Sequence, residues 1–137
     1  MSTEQYVLDS WAILAWLENE PGGTIVSDLL RRAAHDEITI WMTVINIGEV
    51  LYITEREKSL SDAQTALAII DSLPIKQVEA SRRLMLQAAH YKARHRMSYA
   101  DCFALALAKQ LQAPLVTGDP ELRDQKEVRV LWIGPNE

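Results

Sequence analysis

The sequence has little of what several protein classes require. Its single cysteine, Cys102, excludes an internal disulfide and favours a reducing compartment. No apolar run approaches the roughly 18 residues of a membrane-spanning helix. The first five residues are polar and acidic, unlike the basic start of a signal peptide. We therefore expect a cytoplasmic protein that does not enter the membrane.

An excess of positive charge is also absent. The 14 lysines and arginines are outnumbered by 19 aspartates and glutamates, and the net charge of −5 argues against a general nucleic-acid binder. No G-x-G-x-x-G or P-loop sequence supports nucleotide binding. The three histidines have no metal-ligand spacing, which disfavours a zinc site.

What is present is the composition of one compact domain over residues 1–137, with 48% hydrophobic residues. Short β-rich runs alternate with helical patterns, and a capping box at Ser61 and Gln64 is expected to open one helix. Such alternation predicts βαβ units and a short parallel sheet with helices on both faces, a three-layer α/β/α sandwich. The predicted strands cover residues 6–9, 39–42, 75–78, 113–117 and 128–133. The predicted helices cover residues 10–17, 24–34, 43–58, 61–72, 79–95, 98–111 and 120–124.

Two acids follow predicted strands. Asp9 ends the first strand, and Asp119 follows the strand that ends at Thr117. Because ligands bind outside the carboxyl ends of strands in open parallel sheets, both acids are expected at the functional edge. Each is also a normal helix N-cap, and Asp119 before Pro120 has the usual cap sequence. Capping alone therefore accounts for either acid taken singly.

Two further acids have apolar neighbours at helical spacing. Glu49 shares its face with Ile45, Tyr52 and Ile53, whereas Asp101 shares its face with residues 97, 104, 105 and 108. A buried carboxylate needs a cation, a base or a proton, since an unpaired buried charge costs several kcal/mol, on the order of the values in. The alternatives are that Glu49 reaches solvent and that Asp101 completes a capping box with Ser98.

Together, the four acids predict a site for a hard divalent cation. Mg²⁺ and Mn²⁺ prefer carboxylate oxygens, and either ion supports phosphodiester hydrolysis without a side-chain nucleophile. Cys102 has no histidine base placed by the sequence, so we interpret it as a small core residue.

Four segments resemble the PIN domain family, in particular its small VapC-type toxins, in order and spacing. They are Tyr6-Val-Leu-Asp9-Ser10, the segment from Thr43 to Val50, the segment from Ser98 to Ala108, and the segment from Pro114 to Asp119. The resemblance implies a ribonuclease that depends on Mg²⁺ or Mn²⁺, with Asp9, Glu49 and Asp101 as core metal-binding carboxylates. Asp119 would complete this catalytic set. Ser10 and Thr117 match the positions whose hydroxyls support the metal-binding site. Asn46, one helical turn before Glu49, is expected to support the same site through hydrogen bonds. A small antitoxin and a homodimer are also implied.

Basic residues cluster shortly before Asp101. Lys92, Arg94 and Arg96 are the candidates for RNA phosphate contact, and such contacts would make RNA binding sensitive to salt. A solvated helix face is the simpler interpretation for Arg82 and Arg83.

Three alternative functions remain open at this point. A DNA nuclease would use the same metal chemistry, and only the resemblance favours RNA. An aspartyl phosphatase or phosphoacceptor domain would also place an Asp after the first strand, but position 11 is tryptophan and no lysine follows a late strand as expected. A non-catalytic PIN-like binding module would not need acids at all four positions.

Overall fold

The computed structural model describes residues 4–136 and shows a five-stranded parallel sheet with helices on both faces. The strands are β1 (Glu4–Leu8), β2 (Ile38–Thr43), β3 (Lys76–Val78), β4 (Leu115–Thr117) and β5 (Val130–Trp132). The helices are α1 (Ser10–Leu17), α2 (Gly23–Ala34), α3 (Val44–Glu57), α4 (Leu60–Ser72), α5 (Arg82–Arg94), α6 (Tyr99–Leu111) and α7 (Pro120–Arg123). The predicted α/β/α sandwich is confirmed; residues 1–3 and 137 of the predicted domain lie outside the described residues.

The strand order is β3-β2-β1-β4-β5, and every pair is parallel. Val7 of β1 is level with Trp41 of β2 and with Leu115 of β4. The chain order therefore changes direction beside β1, and the crevice at the carboxyl ends of β1 and β4 is the position where open α/β sheets bind ligands.

Two apolar cores lie on opposite faces of the sheet. One core packs α5 and α6 against β1 and β4, with buried residues such as Leu84, Phe103 and Leu115. The other packs the first four helices against the sheet through residues such as Ile13 and Val26. α6 has eight successive buried residues, Asp101–Ala108. Asp101 therefore enters the site at the start of the buried stretch of α6.

Most helices begin at a side-chain cap, as short polar residues before apolar runs predict. The capping side chains belong to Asp9, Thr43, Ser59, Ser81, Ser98 and Asp119. The predicted box at Ser61 and Gln64 is wrong, because the cap lies two residues earlier. Ser59 accepts the Asp62 N–H at 3.0 Å, and α4 starts at Leu60. Likewise α5 starts at Arg82 after its Ser81 cap rather than at Glu79.

None of the helices within residues 4–136 is long and apolar enough to cross a membrane.

Candidate metal centre

Asp9 lies at the carboxyl end of β1 with only 1% of its surface exposed. Its Oδ1 accepts the Ala12 N–H at 2.9 Å and so caps α1, while its Oδ2 accepts the Thr117 hydroxyl. Burial raises the pKa of Asp9 to about 7, against the lowering effect of both hydrogen bonds, and the charges of Asp119 and Glu49 raise it further. Capping and membership of an acidic site therefore coexist in this residue.

Thr117 joins two of the acids. Its hydroxyl donates to Asp9 and accepts the backbone N–H of Asp119 at 2.9 Å. The side chain is fully buried at the end of β4. Thr117 thereby fixes the loop that carries Asp119 against the end of β1.

Asp101 is the most perturbed acid. Its side chain is 4% exposed, and its Oδ2 is buried with no hydrogen-bond partner. The Asp101 backbone N–H bonds to Ser98 Oγ at 3.1 Å, so Ser98 caps α6, but Oδ2 is not used in a capping box. Burial raises the pKa of Asp101 to about 9, helped by the adjacent carboxylates, first Asp119 and then Asp9 and Glu49. Such an oxygen needs either a proton or a cation.

Asp119 faces Asp101 from the N-cap position of α7. Its Oδ1 accepts the Glu121 N–H at 2.9 Å, so Asp119 also caps a helix. One carboxylate oxygen from each of Asp101, Asp119 and Glu121 lies within 4.8 Å of the other two. Sequence reasoning missed Glu121; the spacing Asp119-x-Glu121 at a helix start was the available signal.

Glu49 lies at the rim of the cluster. It is half-buried on α3, and the hydroxyl of Tyr52 donates to its Oε2 at 3.4 Å. Its apolar neighbours do not form a buried face, since Ile45 and Ile53 are half-buried and Tyr52 is exposed. The Glu49 charge still raises the pKa of Asp9 and of Asp101. The charges of Asp9 and Glu49 thus affect the other acids of the site. Neither residue belongs to the group of three carboxylate oxygens that lie within 4.8 Å of one another.

Asn46 holds three helix starts together beneath the acids. Its Nδ2 donates to the Ala100 carbonyl at 3.1 Å and to Ser10 Oγ at 3.4 Å, and its Oδ1 accepts the Thr43 hydroxyl at 2.6 Å. Ser10 Oγ in turn donates to the Asn46 carbonyl at 3.0 Å. Asn46 and Ser10 therefore support the backbone beside Asp9 and Asp101, and within residues 4–136 neither side chain bonds to a carboxylate. Thr43 belongs to this network and was not predicted from the sequence.

The predicted RNA-binding residues are all exposed at or just after the end of α5. Arg94 folds back on its own helix, where its guanidinium bonds to His90 Nδ1 at 3.0 Å and to the His90 carbonyl at 3.2 Å. The positive charge of Lys92 acts on the buried Cys102 thiol. Arg96 lies in the loop before Ser98, which caps α6.

Cys102 is completely buried, as its interpretation as a core residue predicts. Burial raises the pKa of the Cys102 thiol to about 11. At neutral pH the thiol is protonated, which disfavours a nucleophilic role for Cys102.

The residues present fit a hard divalent cation. The close group offers only carboxylate oxygens, which Mg²⁺ and Mn²⁺ prefer, and it brings like charges together that repel without a cation. The unpartnered Asp101 Oδ2 is the group that a bound cation would satisfy.

The sequence profile of the PIN domain matches residues 6–128. No curated protein matches the chain. Among solved structures, the chain resembles the DNA-bound VapBC complex of Salmonella typhimurium, with a TM-score of 0.73, 12% identity, and coverage of 96% of this chain and 99% of that chain. It also resembles VapBC from Rickettsia felis bound to a promoter DNA fragment, with a TM-score of 0.70, 17% identity, and coverage of 92% and 96%. A third similar structure is a sarcin–ricin-loop-cleaving VapC toxin of Mycobacterium tuberculosis, with a TM-score of 0.67, 19% identity, and coverage of 90% and 98%.

Proposed function

Since this chain belongs to the PIN domain family, we propose that it is a metal-dependent endoribonuclease and the toxin of a type II toxin–antitoxin pair. One observation carries the metal-dependent chemistry. Asp101 Oδ2 is buried without a partner, and the carboxylates of Asp119 and Glu121 lie within 4.8 Å of the Asp101 carboxylate. Carboxylates packed this closely are suited to binding a cation, and that cation can in turn bind a phosphate.

Asp101 and Asp119 would hold the ion, Mg²⁺ or Mn²⁺, and Asp9 and Glu49 would complete the catalytic acids. Such an ion makes a bound water more acidic and stabilises the leaving oxygen of a phosphodiester. The Thr117 hydroxyl and the Ala12 N–H both donate to the Asp9 carboxylate and hold it in one orientation. Without the ion the pKa of Asp9 is about 7, so Asp9 readily releases its proton near neutral pH when a cation binds. Glu121 adds a carboxylate at the exposed side of the group.

RNA is the proposed substrate, because one structurally similar toxin is described as cleaving the sarcin–ricin loop. Lys92, Arg94 and Arg96 would contact RNA phosphates. An antitoxin partner is proposed from the similar VapBC structures of Rickettsia felis and Salmonella typhimurium, and from a similar toxin–antitoxin complex of Klebsiella pneumoniae. We propose that the toxin itself is a homodimer.

Cleavage of RNA by the purified protein tests this function. With Mn²⁺ or Mg²⁺ the wild-type protein should cleave RNA, and EDTA should stop cleavage. Asp9→Asn and Asp101→Asn should lower the rate by at least about a hundredfold, because each removes a charge from the site. Asp36→Asn is the matched control, since Asp36 is an exposed turn residue just before β2, at the amino ends of the strands and so opposite the site. Equal activity of the two site variants and the control would contradict the proposal, because a contaminating nuclease would then explain cleavage.

A further inference from the structure

Tyr52 is an exposed aromatic side chain that is hydrogen-bonded to an acid of the site. Its surface is 54% exposed, and its hydroxyl donates to Glu49 Oε2 at 3.4 Å. Within residues 4–136, the other exposed tyrosine is Tyr99, whose surface is 44% exposed. The Tyr99 ring packs on Phe103, with the ring centroids 5.0 Å apart. Single exposed tyrosines are common. Tyr52 differs because it lies beside a proposed catalytic carboxylate, with its hydroxyl within hydrogen-bond distance of Glu49.

Arg56 lies one helical turn further along the same face of α3. Its guanidinium carbon is 5.6 Å from the centroid of the Tyr52 ring, and its side chain is exposed. Within residues 4–136 it forms no ion pair, although Glu55 and Glu57 flank it in sequence. Its donors are therefore available to an anion outside the chain.

Along α3, the Glu49 carboxylate is followed by the Tyr52 ring and then by the Arg56 guanidinium. This order matches the parts of one nucleotide next to a cleaved bond. A scissile phosphate at the acids would place the next base near a flat ring and the next phosphate near a positive charge. Every base has a π-face, so stacking on tyrosine binds a base without selecting its sequence.

We propose that Tyr52 and Arg56 form a nucleotide subsite for single-stranded RNA, in which one unpaired base stacks on Tyr52 and the adjacent phosphate binds Arg56. This inference rests on the proposed ribonuclease function and narrows its substrate class. A paired base cannot offer its face to a side chain, so unpaired loops and strands are selected over duplex RNA. Stacking on a neutral ring also gives a chain of net charge −5 a contact with RNA that does not depend on its charge.

The test measures binding of a short, fluorescently labelled single-stranded RNA of mixed sequence, with Ca²⁺ replacing Mg²⁺. Tyr52→Ala should weaken binding about tenfold, the loss of one stacked base. Tyr52→Phe keeps the ring and should stay within about twofold of wild type by the same reasoning. Arg56→Gln should weaken binding and lower the salt slope by about one. In cleavage assays with Mn²⁺, Tyr52→Ala should mainly raise KM.

Tyr99→Ala is the matched control, because it removes an exposed tyrosine that has no bond to a site acid, and it should leave RNA affinity unchanged. A duplex of the same sequence should bind wild type and Tyr52→Ala equally. If wild type binds and cleaves RNA while Tyr52→Ala binds as wild type does, the subsite is wrong and the ribonuclease function stands. If Tyr52→Phe loses as much affinity as Tyr52→Ala, the hydroxyl and not stacking is responsible, and the subsite is again wrong. If wild type neither binds nor cleaves RNA, both proposals fall.

Discussion

Asp101 shows how one residue defines the chemistry of the site. Its carboxyl group is buried, has an oxygen without a partner and faces other carboxylates. Ionisation in that place is unfavourable, so the pKa of Asp101 rises to about 9, and the pKa of Asp9 rises to about 7 for the same main reason. Without a cation the folded chain therefore retains protons that an unfolded chain would release.

This retention predicts how stability depends on pH. Because both pKa values are raised on folding, the folded state binds more protons than the unfolded state between the ordinary carboxyl pKa and the raised values. Stability from these groups is complete below about pH 4 and is lost as pH rises through about 7 for Asp9 and about 9 for Asp101.

Asp101→Asn removes one of these groups without changing its shape. In EDTA, we expect the variant to be more stable than wild type at about pH 8, by on the order of 1 kcal/mol, or roughly 3 °C in Tm. The difference should shrink toward about pH 5, because the cost of keeping Asp101 protonated in the folded state falls as the pH approaches the ordinary carboxyl pKa of the unfolded chain. Thermal unfolding across this pH range measures it, with Asp36→Asn as control. An unchanged pH slope in Asp101→Asn would show that Asp101 is not protonated on folding.

At the scale of the element, the loop between β4 and α7 is held by aromatic packing. A methyl group at Gly118 would lie 2.4 Å from ring carbons of Trp11, and one at Gly134 would lie 2.6 Å from the Trp132 ring. Gly118 separates Thr117 from Asp119, so the close approach of Trp11 sets the position of the α7 carboxylates. Sequence reasoning placed Asp119 in this loop but had no signal for the contact with α1.

Gly118→Ala should therefore displace the loop, destabilise the protein by about 1–3 kcal/mol and weaken Mn²⁺ binding. Gly48→Ala is the matched change within α3, where an added methyl group meets nothing within 4 Å. It should stabilise the helix by about 0.5–1 kcal/mol. Thermal unfolding and Mn²⁺ titration of both variants measure these effects. Equal tolerance of the two substitutions would mean that Trp11 yields easily and does not position Asp119.

Local patterns predicted the helices and the positions of their acids because caps and periodicity depend on nearby residues. Asp101, on an apolar face, is buried as the pattern predicts. Glu49 has similar neighbours, yet it is only half-buried, because the cover over its helix face depends on tertiary packing. Glu121 was missed because a four-residue helix has no periodicity, and its approach to Asp101 depends on strand order.

At the scale of the whole molecule, an open groove of about 800 Å³ adjoins the site loop and suits the proposed antitoxin. Its apolar lining includes Trp11, Leu14, Ile25, Ile53, Trp132 and Pro135, and acids surround it at Glu18, Glu20 and Glu57. An apolar segment with flanking basic residues complements this surface. We therefore propose the groove as the antitoxin contact.

Ile25→Lys should prevent this association, because it places a charge in the apolar lining. Leu86→Lys is the control, since Leu86 is an exposed leucine on α5, outside the groove. The measurement is co-purification with the product of a short neighbouring reading frame expressed together with this chain. Retention of that product by Ile25→Lys at the level of the control would contradict the assignment of the groove.

The central claim is that the acids at the carboxyl end of the sheet hold a divalent cation, and calorimetric titration with Mn²⁺ tests it most directly. We predict that wild type and Asp36→Asn bind Mn²⁺ with equal affinity, and that Asp101→Asn binds it at least about tenfold more weakly. Proton release on binding should be measurable, because Asp101 and Asp9 must ionise. Equal Mn²⁺ affinity in Asp101→Asn and wild type, or no binding by wild type, would contradict the account.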